Sequence, residues 1–451
     1  MMVSYLYQHL LVININDQIG IRILLQNLNS KNPFIQNVAS TFLVQVFSLF
    51  LSFANAAIIA RWLGPEGKGM LALALLVPGM LGLLLSGGID VANVYFAGSR
   101  RLDLPTLTAN SMGFAMLSTA LGCFVIISLA ATGWLKAMVP GVPVWILMIA
   151  MLGFPTAMLK SFFSTILQGL QRIITINLIN LVQNILTLCL TLLFVIVWKL
   201  DLFGALMAPL ASGALGLLVF GIMLSREGGV LRPRWNYSVV SATLSFGLRA
   251  HIGNMLQFFN YRLDMLILNC FLGPANVGIY VVSVKLAELL WYLPNAVSFV
   301  IFPKAAASRP EEMNVFTPRV FRTTLGLTAL GALGLAFVGR PIINFIFSSA
   351  FIEAYVPMLT LLPGVVLLGG AKVLTNEIAG RGYPHYNSIN AGLALVLTVV
   401  LDLVLIPRYG VLGAALASSI AYTAIFITAI GFYLAVSRRA KDKAPVRISV
   451  T

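Results

Sequence analysis

Apolar runs of about 20 residues or more recur along almost the whole chain, and no ordinary water-soluble domain carries that pattern. A bilayer core about 30 Å thick needs roughly 20 apolar residues per helix, and these runs lack the alternation of strands. In hydrocarbon every backbone N–H and C=O must bond within its own segment, so such runs fold as helices. The sequence predicts an all-α polytopic membrane protein with about twelve transmembrane helices. Composition agrees: 59% of the 451 residues are hydrophobic and 10% are charged.

Lysine and arginine set the orientation, because cationic flanks are retained in the cytoplasm. With the N-terminus inside, eighteen of the 29 basic residues fall on inner segments, six on outer loops and five within spans. Both termini are therefore expected in the cytoplasm. The same asymmetry accounts for the net charge of +15, since the excess faces an anionic leaflet; nucleic acid is not needed to explain it. Cys123, Cys189 and Cys270 stand alone in apolar segments and read as core filler.

The stretch 60-ARWLGPEGKG-69 contains a Gly-Lys pair. A phosphate loop needs G-x-x-x-x-G-K-[ST] after a strand, and here Gly69 follows Lys68. The stretch reads instead as a hinge on an outer loop: Gly ends one helix with positive φ, and Pro starts the next, where its missing N–H is no loss. Leu63-Gly64-Pro65 recurs as Leu272-Gly273-Pro274, 209 residues later. Gln168-Gly169 matches Ala379-Gly380, and Phe203-Gly204-Ala205 matches Leu412-Gly413-Ala414. The chain thus reads as a duplicated six-helix unit. An even number of spans per unit predicts two bundles related by a pseudo-twofold axis along the membrane normal, with a cavity between them. The expected organisation is a polar cytoplasmic extension (1–36), a first bundle (37–225), a linker (226–238), a second bundle (239–436) and a basic tail (437–451).

Polar residues within the spans are the candidate site. Thr41, Gln45, Ser48, Ser52 and Asn55 form one stripe at helical spacing; Asn177, Asn180, Asn184 and Thr187 form another, and Asn254, Gln257, Tyr261 and Asp264 a third. Interhelical hydrogen bonding explains any single one, whereas stripes on several helices point to a hydrated cavity. Charges say more, since each costs several kcal/mol in hydrocarbon without water or a partner. The interior cations are Lys160, Arg249, Arg262, Lys285 and Lys372. The interior acids are Asp90, Asp264, Glu288, Glu377 and Asp402, with Asp90 and Asp402 close to span ends. Lys160 and Lys372 occupy nearly equivalent places in the two halves, so a shared anion site between them is one expectation. Pairing of each lysine within its own half is the other. Asp264 with Lys285, and Arg262 with Glu288, are expected cross-helix pairs. Among the acids, Asp264, Glu288 and Glu377 are the candidate ion-coupling groups.

His9, His251 and His385 are scattered, and no metal, nucleophile or nucleotide motif is present. No cofactor is expected, and transport fits better than catalysis.

Three stretches carry a resemblance: 61-RWLGPEGKGMLALAL-75, 246-FGLRAHIGNMLQFFNYRLDMLILNCFLGPANVGIYVVSVKLAELLWYLP-294, and 376-NEIAGRGYPHYNSIN-390 with 402-DLVLIPRYGVLGAALASS-419. The chain resembles the Wzx-type polysaccharide flippases of the multidrug/oligosaccharidyl-lipid/polysaccharide (MOP) exporter superfamily. The resemblance implies two bundles in a V that move an undecaprenyl-pyrophosphate-linked oligosaccharide to the outer leaflet of a bacterial cytoplasmic membrane. It also implies a polysaccharide polymerase and a chain-length regulator as partners. Family members use a cationic central cavity for the pyrophosphate or acidic sugars, and Lys160, Arg249, Arg262 and Lys372 match by type and place; Lys285, Asn55, Asn184 and Gln257 are further candidates for binding the substrate. The rivals are a drug/cation antiporter of the same fold, which favours an acidic cavity, and a membrane polymerase or ligase, which needs a larger outer loop.

Overall fold

The computed structural model describes residues 33–442, and side chains over 44–438 apart from residue 250. The expected extension 1–36 and basic tail 437–451 therefore lie largely outside the described residues, as does the side chain of Thr41.

The first helix, α1 (Pro33–Ser86), is 54 residues long and bends at Gly64. A short α2 (Ile89–Ser99) continues it after the break at Gly87 and Gly88. Then follow α3 (Leu104–Ala131), α4 (Trp134–Met138), α5 (Val144–Met151), α6 (Gly153–Gly169), α7 (Ile173–Thr191) and α8 (Asp201–Arg226). After an irregular stretch come α9 (Tyr237–Leu272), α10 (Pro274–Glu288), α11 (Tyr292–Ala307), α12 (Pro310–Ile342), α13 (Tyr355–Gly380), α14 (His385–Tyr409) and α15 (Val411–Asp442). Among the described residues, ten helical segments are long and apolar enough to cross a membrane, the first of them 43 residues long. That first segment spans twice, once on each side of Gly64. The 36-residue α9 completes twelve crossings; Arg249, Arg262 and Asp264 lower its hydropathy. Asp103 caps α3 by accepting the Thr106 N–H at 2.9 Å, and hydrogen bonding from the Thr106 side chain, with that N–H second, holds its carboxyl below the usual range.

The duplication is visible in the packing of its glycines. A methyl built on Gly169 would meet the Val94 carbonyl oxygen at 2.7 Å, and one on Gly380 the Phe302 oxygen at 2.5 Å. Gly204 and Gly413 likewise press on the carbonyls of Phe194 and Leu405, at 3.0 and 2.2 Å. Gly64 (φ 66°, ψ −174°) and Gly273 (φ 78°, ψ 176°) adopt the same conformation. It is extended in ψ, in a region open essentially to glycine alone. A Cβ added at either would have no neighbour within 4 Å, so conformation and not space demands glycine there.

The two Leu-Gly-Pro bends pack against one another at what we call the hairpin end. A methyl on Gly69 would lie 1.7 Å from the Pro274 oxygen, and one on Gly278 1.9 Å from the Pro65 oxygen. Arg61 of α1 reinforces this contact by donating to the carbonyls of Phe345, and of Ile346 at 2.9 Å. The Asn269 amide donates to the Pro140 oxygen at 2.9 Å. At the opposite, linker end, Gly88 and Gly247 meet backbone to backbone. His251 Nε2 lies 2.7 Å from the Leu83 oxygen, and the Asn236 N–H donates to Asn110 Oδ1 at 2.7 Å.

One apolar core runs through both halves, taking in Leu73, Ala74, Met265, Val277 and Tyr280. Large apolar side chains such as Phe50, Phe124 and Phe337 point outward. In lipid these cost nothing, because helix association there rests on close packing, and small residues at the contacts permit it. Two expectations need correction. Lys68, expected on an outer loop, is buried within α1. Cys189 and Cys270 are exposed, not core filler, and Cys123 is half-buried.

Candidate functional site

The interior charges fall into three groups. The first lies inside the first half, where α1, α6, α7 and α8 provide most of the lining of a partly open cavity of about 490 Å³. Lys160 stands in its wall and donates to Gln183 Oε1. Asp90, also in the wall, accepts from Ser161 Oγ at 2.7 Å. Asn184, half-buried on α7, adjoins Gln183; the stripe singled out Asn184, but its neighbour holds the lysine.

The second group lies where α9 and α10 face α1, with α13 packed against α10. Arg262 pairs with Glu288 at 3.2 Å, as expected. Lys285 does not pair with Asp264. It crosses to the first half and donates to Ser52 Oγ at 3.1 Å and to the Ser52 carbonyl at 3.3 Å. Lys372 donates to Asn295 Oδ1 at 3.0 Å and sits 4.1 Å from the centre of the Trp291 ring. Such a contact stabilises a cation by about 0.5–2 kcal/mol. Tyr261 and Tyr422 complete an aromatic cluster with Trp291, and Gln257 donates to Tyr261 Oη at 3.0 Å. Asn55 is half-buried, with its Oδ1 unbonded. Lys160 and Lys372 thus have separate settings, one in the first-half cavity and the other against the second-half aromatics.

The third group is acidic. Asp264 accepts from Tyr280 Oη at 2.6 Å, and Ser418 Oγ lies 3.4 Å away. Asn260 accepts from Thr398 at 2.7 Å, joining α9 to α14. Those helices run the same way, so one turn further along the bond's partners become Asp264 and Asp402. Asp402 is fully buried, and neither carboxylate oxygen has a hydrogen-bond partner. Its place close to a span end does not expose it: α14 continues through Pro407 to Tyr409, and Asp402 is turned into the protein. Glu377 is held differently. It forms an ion pair with Arg381 one turn on, and Arg381 also donates to Asn314 at 2.9 Å. Arg249 is exposed on α9, two residues beyond Gly247.

Sequence reasoning missed Gln183, Ser161, Tyr280 and Ser418. All are common span residues, and only their neighbours across helices give them meaning.

A membrane protein of long helices, with charges buried among them and a repeated Leu-Gly-Pro bend, fits a class, the MOP-type membrane transporter. The fold matches a solved lipid II flippase MurJ in an inward closed conformation, with a TM-score of 0.73, 15% identity and coverage of 90% of this chain and 91% of that one. Residues 34–307 match the polysaccharide biosynthesis protein family; the chain belongs to it. A probable low-salt glycan biosynthesis flippase, Agl15 of Haloferax volcanii, is 25% identical over 42% of this chain and 39% of its own length. A putative O-antigen transporter of Shigella flexneri is 21% identical over 82% of this chain and 90% of its own. Matches to the first four curated relatives span 39–66% of those proteins.

Proposed function

We propose that the protein is a flippase that carries an undecaprenyl-pyrophosphate-linked oligosaccharide from the inner to the outer leaflet of a bacterial cytoplasmic membrane, with both termini cytoplasmic. The family and the flippase names of its relatives support this reading. The observation that carries it is Lys285. Its ammonium reaches from one half to the other and bonds only neutral oxygens, with no carboxylate in ion-pair range among the described residues. A cation held between two halves without an ion pair of its own lowers the cost of bringing a phosphate there.

The halves rock about their interface while the lipid tail stays in the bilayer. Arg249, Lys160, Lys372, Lys285 and Arg262 take the anionic head in turn, and Asn55, Asn184 and Gln257 bond the sugar hydroxyls. Asp264 and Asp402 together hold the coupling cation. Two adjacent buried carboxylates, one with no hydrogen bond, require a proton or a metal ion between them. Glu288 and Glu377, also candidates for coupling, are engaged with Arg262 and Arg381.

Deleting the gene and identifying the lipid-linked glycan that accumulates on the inner leaflet tests the reading. Wild-type protein restores export, and a Lys285→Ala, Lys372→Ala double variant inserts without restoring it. Normal export by that variant refutes the role of these cations.

A further inference from the structure

The Arg262–Glu288 pair carries a second inference. Nη1 of Arg262 lies 3.2 Å from Oε1 of Glu288, and Nη2 donates to Oε2 at 3.4 Å. Two guanidinium nitrogens thus face two carboxylate oxygens, and this is the fork in which a guanidinium also grips phosphate. One fork cannot hold both anions at once. Nor is the pair sealed, since its side chains keep 30% and 24% of their surface exposed.

Glu288 is the last residue of α10, where the helix tightens into a 3₁₀ turn over Leu289–Trp291. Lys285 lies one turn back on the same helix face, and Trp291, three residues on, carries the ring that Lys372 sits against. The charge of Glu288 acts on Lys285 and Lys372 as well as on Arg262. Among the described residues it is the carboxylate common to all three cations. Once displaced from Arg262 it still lies in the field of two lysines, so it is not left as a bare charge.

We propose that Glu288 is a stand-in anion: it fills the fork of Arg262 while the protein is empty, yields it to the incoming phosphate, and takes it back after release. The inference rests on the flippase reading in taking that phosphate to be the carried lipid's. Without such a group the empty protein would return with Arg262 uncompensated, a charge that is costly between helices in a membrane. The resident carboxylate also sets a threshold, because only an anion that outcompetes it gains the fork.

The test is titration of the purified full chain with inorganic pyrophosphate. Glu288→Gln removes the competing charge and is expected to lower Kd at least about fivefold, or about 1 kcal/mol. If the glutamate were only a brace for Arg262, its loss would raise Kd or leave it unchanged, and either result overturns the proposal. Glu288→Met serves if the glutamine variant does not fold. In an Arg262→Ala background the gain from Glu288→Gln is expected to shrink, and an equal gain there overturns an exchange at that fork. Glu353→Gln, the same charge change at an exposed position between α12 and α13, controls for net charge; equal tightening by it also overturns the proposal. Glycan export in cells should fall in Glu288→Gln, whose empty form returns with an unpaired arginine, and export at the wild-type level refutes the exchange. If Arg262→Ala weakens pyrophosphate binding but Glu288→Gln does not tighten it, the exchange falls and the flippase stands. If Arg262→Ala leaves the wild-type affinity unchanged, the role of this cation in holding the head group falls, and the exchange with it.

Discussion

Replacing Gly278 by alanine perturbs the hairpin-end contact at its tightest point. The added methyl would sit 1.9 Å from the Pro65 carbonyl oxygen, and real Cβ atoms essentially never approach closer than 3.0 Å. The obstacle is backbone within a helix and has no rotamer to relax into, so the bends must part by at least about 1.1 Å. A radial gap of 0.5–1 Å already forfeits roughly a quarter to a half of each van der Waals contact, and overpacking of this kind costs about 1–3 kcal/mol. That cost falls on the state closed at the hairpin end and not on one in which the halves have separated there. The ratio of open to closed protein should therefore rise roughly fivefold to 150-fold. Gly69→Ala, the reciprocal change, should act alike from its starting distance of 1.7 Å. Spin labels at Glu66 and Ala275, in a background lacking the three native cysteines, report the separation by pulsed electron resonance. Gly334→Ala is the control, since nothing lies within 4 Å of its added methyl. A distance distribution unchanged in Gly278→Ala would show that the glycine contact does not hold this end shut.

Other outcomes follow from the same geometry. Asp402→Asn should abolish the dependence of export on an ion gradient while raising Tm, because an unbonded buried carboxylate costs more than a neutral amide; a fall in Tm counts against the unpaired state. Arg262→Ala should destabilise by about 1–3 kcal/mol, a buried-pair figure reduced because the pair is partly exposed. Adding Glu288→Ala should recover part of that loss, and strict additivity in chemical unfolding would sink the pairing. Gly273→Ala and Gly64→Ala should each lower stability by about 1–3 kcal/mol from backbone strain alone, and equal unfolding free energies for wild type and variants would contradict it.

Much of the architecture was legible because membrane folding leaves few options: length and apolarity fix the helices, and a repeated Leu-Gly-Pro fixes the duplication. Positions of charges along a helix were legible too, and Arg262 with Glu288 met as their depths required. What the sequence could not show is which way a residue faces once helices pack. Asp402 was discounted by its depth alone, yet its partnership with Asp264 follows from Asn260 and Thr398 one turn earlier. Gln183 and Asn184 differ by one place and hence by about 100° around the helix; a stripe of amides cannot tell which meets Lys160. Lys285 looked like the natural partner of Asp264, but Tyr280, on the same helix, reached that carboxylate and left the lysine to the opposite half.

The reciprocal meeting of Gly69 with Pro274 and of Gly278 with Pro65 has the form of an isologous contact, one patch answering its own copy. It is the geometry of a homodimer written into a single polypeptide. A lone six-helix unit already carries both the surface and its complement, so a self-pairing ancestor needed no new chemistry, only fusion. Once fused, each copy could change independently, and the Arg262–Glu288 pair of the second half stands where Phe53 and Gly79 stand in the first.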